Sequence, residues 1–540
     1  MRRVPSRRDG PEPIVSVPVG RDTYAMIDTT DAVRAALDPD RRAAFQRRVE
    51  EEAEALRDDI DAGVFDADGF AVGMELEGYV VDGEGRLAAA PGDLFGIDGC
   101  SQELGVHNAE LHTDPDVVSD AGLRRQFDEL GATYRAVQAH LGGVDQRFVL
   151  DALWTVPPVA GTRGYIGATT ETDGLALPTN MRPVPRYVAL DAEIRARNGG
   201  TLDLDIHGFE SAASMLAESL ATSMQPHLQV PDPTAVPTYL NVATRTMGPI
   251  LSVTSNSPFL PADRYDGHTV ETVFERTPHE LRIPLFERSV DEGSHKCRVP
   301  EDVPDLDTLI DRIVTDPTLV APPELDGAGG DGQRSGDPGD RYPAIGAKRG
   351  TYWRWVRPVF GGDVPRTADG DRVDGGDGGS VRIEYRPLPT QPTIRDTVGV
   401  QALVTGVLRG VVATDHPLAT LPWDEAEQSF YAAVDDGPGA DLHWVTRAGD
   451  RTTATPRIYD ELFALARRGL DELGVGAETI EWALAPIEAR RETDHTAPSA
   501  WKRAQVREAV EAGASLRAAI EGMQAAYVER AGRGTPFAEW

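Results

Sequence analysis

Two glutamates one residue apart, Glu75 and Glu77, sit in the run Gly73-Met74-Glu75-Leu76-Glu77-Gly78-Tyr79-Val80-Val81. The alternation is that of a strand: Gly73, Glu75, Glu77 and Tyr79 share one face, and Val72, Met74, Leu76 and Val80 the other. At about 3.3 Å rise per residue, the two carboxylates lie roughly 7 Å apart. Unpartnered anions at that spacing repel and raise each other's pKa. A divalent cation relieves the repulsion, and Mg²⁺ or Mn²⁺ favours hard oxygen ligands of this kind. An edge strand with a solvated, charged face fits the same pattern.

Four other segments repeat that logic. In 381–386, Val381, Ile383 and Tyr385 alternate with Arg382, Glu384 and Arg386. That is either an ion-pair ladder or an acidic ligand flanked by phosphate-binding guanidiniums. In 103–112, Asn108, Glu110 and His112 face together, and Glu103 precedes Glu110 by seven residues. In 224–230, Gln225, His227 and Gln229 share a face, where a lone histidine is either structural or a ligand. The aromatic-basic run Tyr352-Trp353-Arg354-Trp355-Val356-Arg357 either edges the core or walls a site. Taken together, Glu75, Glu77, Glu103, Glu110, His227 and Glu384 suit two or three Mg²⁺ ions and do not suit a structural zinc. Clustered Mg²⁺ with arginines nearby serves a nucleotide's phosphates. Neither a Gly-x-x-x-x-Gly-Lys-Ser/Thr loop nor a Gly-x-Ser-x-Gly elbow is present.

The elements that must carry these residues follow from periodicity. Helices are expected over 31–62, 119–141, 181–197 and 233–251, and strands over 105–112, 149–156 and 225–230. A turn at Asp82-Gly83-Glu84-Gly85 closes a hairpin onto Arg86-Leu87. The Pro/Gly/Thr-rich stretch 157–185 reads as a loop and a possible lid. Gly/Asp runs at 327–341 and 361–379 read as exposed insertions, and beyond Pro392 the chain reads as mainly helical.

Composition narrows the class. The 540 residues are 40% hydrophobic, enough for a substantial core. The net charge is −34, and the three lysines are Lys296, Lys348 and Lys502. A diffuse acidic surface points to solubility in concentrated salt, and no basic stripe exists to bind nucleic acid. Cys100 and Cys297 are too few for a disulfide framework. No secretory signal is visible, and the apolar stretch 398–412 contains Arg409 and is too short to span a bilayer. A cytoplasmic protein with no membrane partner is the expectation, with oligomeric state unread.

In order along 70–415, these segments resemble the glutamate–cysteine ligase family, in its bacterial-and-plant-type carboxylate–amine ligase branch. Gly73-Met74-Glu75-Leu76-Glu77 resembles the family's Gly-x-Glu-x-Glu strand. Pro226-His227-Leu228-Gln229-Val230 resembles its His-Val-His/Gln-Val strand, and 251–259 its Leu-Ser-x-x-Ser/Asn-Ser-Pro-Phe segment. Trp353–Pro358 resembles Trp-Trp-x-x-Arg-Pro, and 381–386 its Thr-x-Glu-x-Arg segment.

The resemblance implies an α+β fold: a mainly antiparallel, curved sheet forming a glutamine-synthetase/guanido-kinase-like funnel, with helices packed outside. It implies an irregular segment over 1–30, a catalytic domain over 31–415, and a helical region over 416–540 packed on it. It also implies ATP as co-substrate, phosphorylation of glutamate's γ-carboxylate, and displacement of phosphate by the amine of cysteine. Glu75, Glu77, Glu103, Glu110, His227 and Glu384 would hold Mg²⁺ or Mn²⁺, and Arg386 would act on the transferring phosphoryl. Arg357, Trp353 and Arg382 would line the substrate or nucleotide pocket. A different amine acceptor, or a non-catalytic relative that binds a metabolite, remains the alternative.

Overall fold

The computed structural model describes residues 22–322, 341–371, 379–492 and 495–540. Its organising element is an eight-stranded antiparallel sheet: β1 (Ala71–Asp82), β2 (Cys100–Gln102), β3 (Asn108–His112), β4 (Asp116–Val117), β5 (Gln146–Val149), β6 (Met224–Gln229), β7 (Val356–Phe360) and β8 (Val381–Tyr385). The order is β7-β8-β6-β1-β3-β2, and β4 and β5 also pair with β1. The fold is thus mixed helix and antiparallel sheet, as expected.

Alternation decides which face is buried. Val72, Met74 and Leu76 of β1, Leu228 of β6 and Ile383 of β8 are buried. Behind the sheet lie the helices Val236–Thr254 and Ile394–Ala413. Thr393 starts the second of these by accepting the Asp396 amide at 3.1 Å, a conventional N-cap. Gln401, buried on that helix, donates to the Gly73 carbonyl at 3.0 Å and ties helix to strand. Among the described residues Ile394–Ala413 is the one helix long and apolar enough to cross a membrane; 83% of its most apolar stretch is packed inside the protein.

Ile394–Ala413 crosses Thr455–Glu472 at glycines. A Cβ on Gly469 would meet the Gly406 carbonyl oxygen at 1.9 Å and the Gly410 nitrogen at 2.5 Å. Both are backbone atoms, so the clash cannot be relieved by a rotamer change. Gly469→Ala is therefore expected to cost about 1–3 kcal/mol, read as a lower denaturant midpoint; an unchanged midpoint would show that the crossing has slack.

One continuous cluster of buried apolar side chains runs from Val33 to Met523, so the C-terminal helices share the core of the sheet layer. A buried polar contact joins them too. Lys502, on helix Pro498–Glu511, pairs with Asp151 and donates to the Asn256 carbonyl at 2.7 Å, while Gln524 donates to Asp151 at 2.7 Å. All three lysines of the chain are inside: Lys296 is 0% exposed, and Lys348 and Lys502 are 1% exposed.

Several sequence expectations need adjustment. The helix expected over 31–62 is two, Asp22–Leu37 and Pro39–Asp61, split at Pro39, whose ring cannot continue a helix but can start one. Residues 22–30 of the segment expected to be irregular are thus helical, and the rest of it lies outside the described residues. The stretch 157–185 contains the helix Gly161–Gly167 and the hairpin Thr169–Thr172/Leu175–Pro178. Thr162 and Tyr165 pin it down, bonding Asp263 (2.8 and 2.6 Å) and His107 (2.7 Å). Of the strand expected over 149–156 only Val149, the last residue of β5, is in a strand, and Leu153 makes an isolated bridge to Ala221. The run 327–341 lies outside the described residues apart from Arg341, and 361–379 is described at 361–371 and at Gly379.

Candidate functional site

Strand register assembles the candidate residues. Across β1, Glu77 is opposite Glu110 and Gly73 opposite His227. His227 in turn is opposite Glu384, and Glu384 opposite Arg357. Residues as far apart in sequence as Gly73 and Glu384 thereby share one sheet face by backbone pairing alone.

The acids divide into two groups. Glu77, Glu103 and Glu110 each present an oxygen within 4.8 Å of the others. Glu77 accepts from the Ser223 amide (2.7 Å), the Ser223 hydroxyl (2.9 Å) and Gln225 (2.9 Å). Glu110 accepts from Ser101 at 3.0 Å, and Glu103 from the Leu104 amide at 2.9 Å. Burial together with the nearby Glu77 charge pushes Glu103 up to about 8. Burial, then repulsion from Glu75, Glu103 and Glu77, holds Glu110 well above the usual carboxylate range. Burial also raises Glu77, although Arg282 and the Ser223 bonds oppose it. Such a cluster attracts protons or cations.

Glu384 lives differently. Arg357 grips it through two bonds, Nε–Oε2 at 2.9 Å and Nη2–Oε1 at 2.8 Å. Arg349 donates to Oε2 at 3.1 Å, and Arg386 also donates to Oε1. Burial would raise its pKa, but Arg357, Arg386 and Arg349 outweigh that and hold it well below the ordinary value. Four guanidinium donors occupy the two oxygens, so in this arrangement Glu384 anchors arginines and offers no free lone pair to a cation.

His227 bridges the groups. Its Nδ1 accepts from Arg382 Nε at 2.9 Å, which leaves the imidazole proton on Nε2, 3.4 Å from Glu75 Oε1. That Nε2 is buried and has no hydrogen-bond partner among the described residues. Burial raises the Glu75 pKa, but His227 and Arg386 together outweigh it and the net shift is downward.

Two cavities open on this face. The larger, about 1020 Å³, is walled by Trp353, Tyr187 and the arginines 282, 349, 357 and 386. The smaller, about 680 Å³, is lined by His227, Gln229, Asp363, Ser380 and Arg382. Glu75 and Glu110 line both.

Sequence reasoning missed Glu218, Arg282, Arg349 and Tyr187, all of which line the larger cavity. Arg282 begins the helix Arg282–Ser289, and its Nη1 is buried without a hydrogen-bond partner among the described residues. One signal for it existed. The Asn256-Ser257 pair of the segment 251–259 binds Glu280, through the Asn256 amide at 2.7 Å and the Ser257 hydroxyl at 2.6 Å. Ser257 also accepts the Arg282 amide at 3.1 Å. That polar motif holds the turn from which Arg282 enters the cavity.

Two solved structures resemble the chain. A bifunctional glutathione synthetase from Pasteurella multocida matches with 13% identity and a TM-score of 0.48, over 89% of this chain. The chain spans 55% of that protein's length. A glutamate–cysteine ligase from Francisella tularensis, in complex with AMP, matches with 12% identity and a TM-score of 0.45, over 87% of this chain and 94% of its own. No curated protein matches by sequence. The profile of glutamate–cysteine ligase family 2 matches residues 71–521. By that match, which takes in every site residue above, the chain belongs to glutamate–cysteine ligase family 2.

Proposed function

We propose that the chain joins L-glutamate to L-cysteine, forming γ-glutamylcysteine through γ-glutamyl phosphate. The observation that carries this reading is that Glu75 and Glu110 line both cavities. A nucleotide in the Arg382 cavity then meets an amino acid in the arginine-rich one at the acidic cluster. There the terminal phosphorus–oxygen bond of ATP breaks as a bond to the γ-carboxylate oxygen forms. The amine next attacks the acyl carbon, and phosphate leaves with that oxygen.

The residues suit these steps. Glu77, Glu103 and Glu110 fit Mg²⁺ or Mn²⁺, being three hard donors within 4.8 Å whose mutual repulsion a cation would relieve. Bound there, the ion would neutralise phosphate oxygens. Glu75 joins that set, while His227 orients Glu75 and Glu384 orients the arginines. Arg386, paired with Glu384 and Gln225, is the donor for charge on the transferring phosphoryl. The free Nη1 of Arg282 suits a substrate carboxylate, with Arg357 and Trp353 beside it. Glu218 has no hydrogen-bond partner among the described residues, and burial followed by repulsion from Glu77 and Glu103 raises its pKa well above normal. It suits taking the proton that the incoming ammonium must lose.

Product identification by mass spectrometry tests the reading: protein, Mg-ATP and glutamate are incubated with a panel of amines in concentrated salt. γ-Glutamylcysteine is the expected product. A different amide, or phosphate released with no acceptor, overturns it. Metal binding has a separate readout. Titrating MgCl₂ is expected to raise the unfolding midpoint, by about 2.7 kcal/mol of stability at 100 times Kd. In Glu110→Gln the same titration should show a weaker response; an equal response would remove Glu110 from the ligand set.

A further inference from the structure

We propose that a third pocket, behind the cleft wall, binds a small multivalent oxyanion such as a polycarboxylate or a phosphate. The pocket measures about 820 Å³ and is lined by Arg298, Arg312, Arg354 and Tyr352, with Asp316 and Glu301. It backs onto the larger cavity: Tyr352 and Arg354 face the pocket, while Trp353 between them lines the cleft.

Its charge runs against the rest of the molecule. The chain carries 88 acidic residues against 54 basic ones, yet of the pocket's three arginines Arg354 alone pairs with a carboxylate among the described residues. Arg312 donates to the backbone carbonyls of Glu301 (2.6 Å) and Asp302 (2.7 Å). Arg354 reaches Asp316 at 3.3 Å, but the same carboxylate is already held by the buried ammonium of Lys296. The Arg298 side chain makes no hydrogen bond or ion pair among the described residues. Arg298 and Arg354 are bridge partners on parallel segments, with the Trp355 amide donating to the Arg298 carbonyl at 3.1 Å. Like charges on directly neighbouring extended segments repel. An anion between them converts that repulsion into attraction, and guanidiniums match carboxylate and phosphate oxygens in two-point contacts.

Tyr352 adds a neutral donor. It is 3% exposed and lines the pocket, with the Arg354 guanidinium 4.7 Å over its ring. Its hydroxyl has no hydrogen-bond partner among the described residues.

Calorimetric titration of citrate and of inorganic phosphate into the full-length protein, free of divalent cations, tests the proposal and separates the two sources. At least one anion is expected to bind with a Kd of about 1 mM or tighter. Arg298→Gln/Arg312→Gln should weaken it about tenfold or more, and Tyr352→Phe should weaken it detectably. Arg386→Gln, which removes a cleft cation, should leave it unchanged. If the double variant fails to fold by circular dichroism, Arg298→Gln alone serves, since that side chain makes no internal bond. Absence of heat with both anions overturns the proposal. So does binding that survives the pocket substitutions but disappears in Arg386→Gln, because the anion then sits in the cleft.

Discussion

Replacing Glu384 with Gln abolishes ADP release, with a loss of about 10³-fold or more. Among the described residues its carboxylate is the one ion-paired to Arg349, Arg357 and Arg386, and each guanidinium spends at least one donor on it. A neutral amide keeps the volume but leaves three cations to repel one another, and it cannot accept from all three. Arg386 then loses the partner that sets its direction, which is the property a charge-stabilising arginine needs. Because Glu384 and Arg357 are buried, circular dichroism first establishes that the variant is folded. Wild-type ADP release from a folded Glu384→Gln protein would remove the arginine cluster from the mechanism.

Lys502→Met is expected to destabilise the protein by about 3–5 kcal/mol. The lysine and its partner Asp151 are both buried, and burial pushes the Asp151 pKa up and the Lys502 pKa down, so each ion is tolerated only because of the other. Removing the ammonium leaves a carboxylate held by Gln524 and the Ala152 amide but with no cation. The double substitution Asp151→Asn/Lys502→Met should recover most of the loss, because replacing a buried pair outright is often close to neutral. Denaturant unfolding of the three variants measures this. A single-variant cost under about 1 kcal/mol would show that water reaches Asp151.

How much of this could be read in the chain depends on where each residue sits. Strand residues announced themselves, because a period of two puts Glu75 with Glu77, and Glu384 with Arg382 and Arg386, on single faces. What alternation cannot state is register. That Glu77 meets Glu110, and Glu384 meets Arg357, follows from long-range pairing that no local pattern encodes. Partners follow in the same way: register sets Arg357 against Glu384, and the side chain of Arg382 reaches His227 from the neighbouring position. Arg282, Arg349 and Glu218 enter singly from a helix start, a helix end and a 3₁₀ turn, where periodicity reports packing and says nothing of a single polar side chain aimed at a cavity. The stretch 157–185 was misread because Gly, Pro and Thr mark turns in general. Its short helix and hairpin are held by tertiary bonds to Asp263 and His107, beyond local composition.

The inward placement of all three lysines makes the folded protein inert to chemistry directed at side-chain amines. Acylating reagents, bifunctional amine cross-linkers and enzymes that modify lysine meet only arginine on its surface, and the guanidinium stays protonated and unreactive under their conditions. Lys296 and Lys348 both bind the 316–318 segment, while Lys502 lies apart beside Asp151, so a reagent reaches them only when those parts of the core open. The rate at which a small acylating agent labels each lysine therefore reports opening at that point. Equal rates at all three would mark a single cooperative opening, and a faster rate at Lys502 would mark prior release of the C-terminal helices.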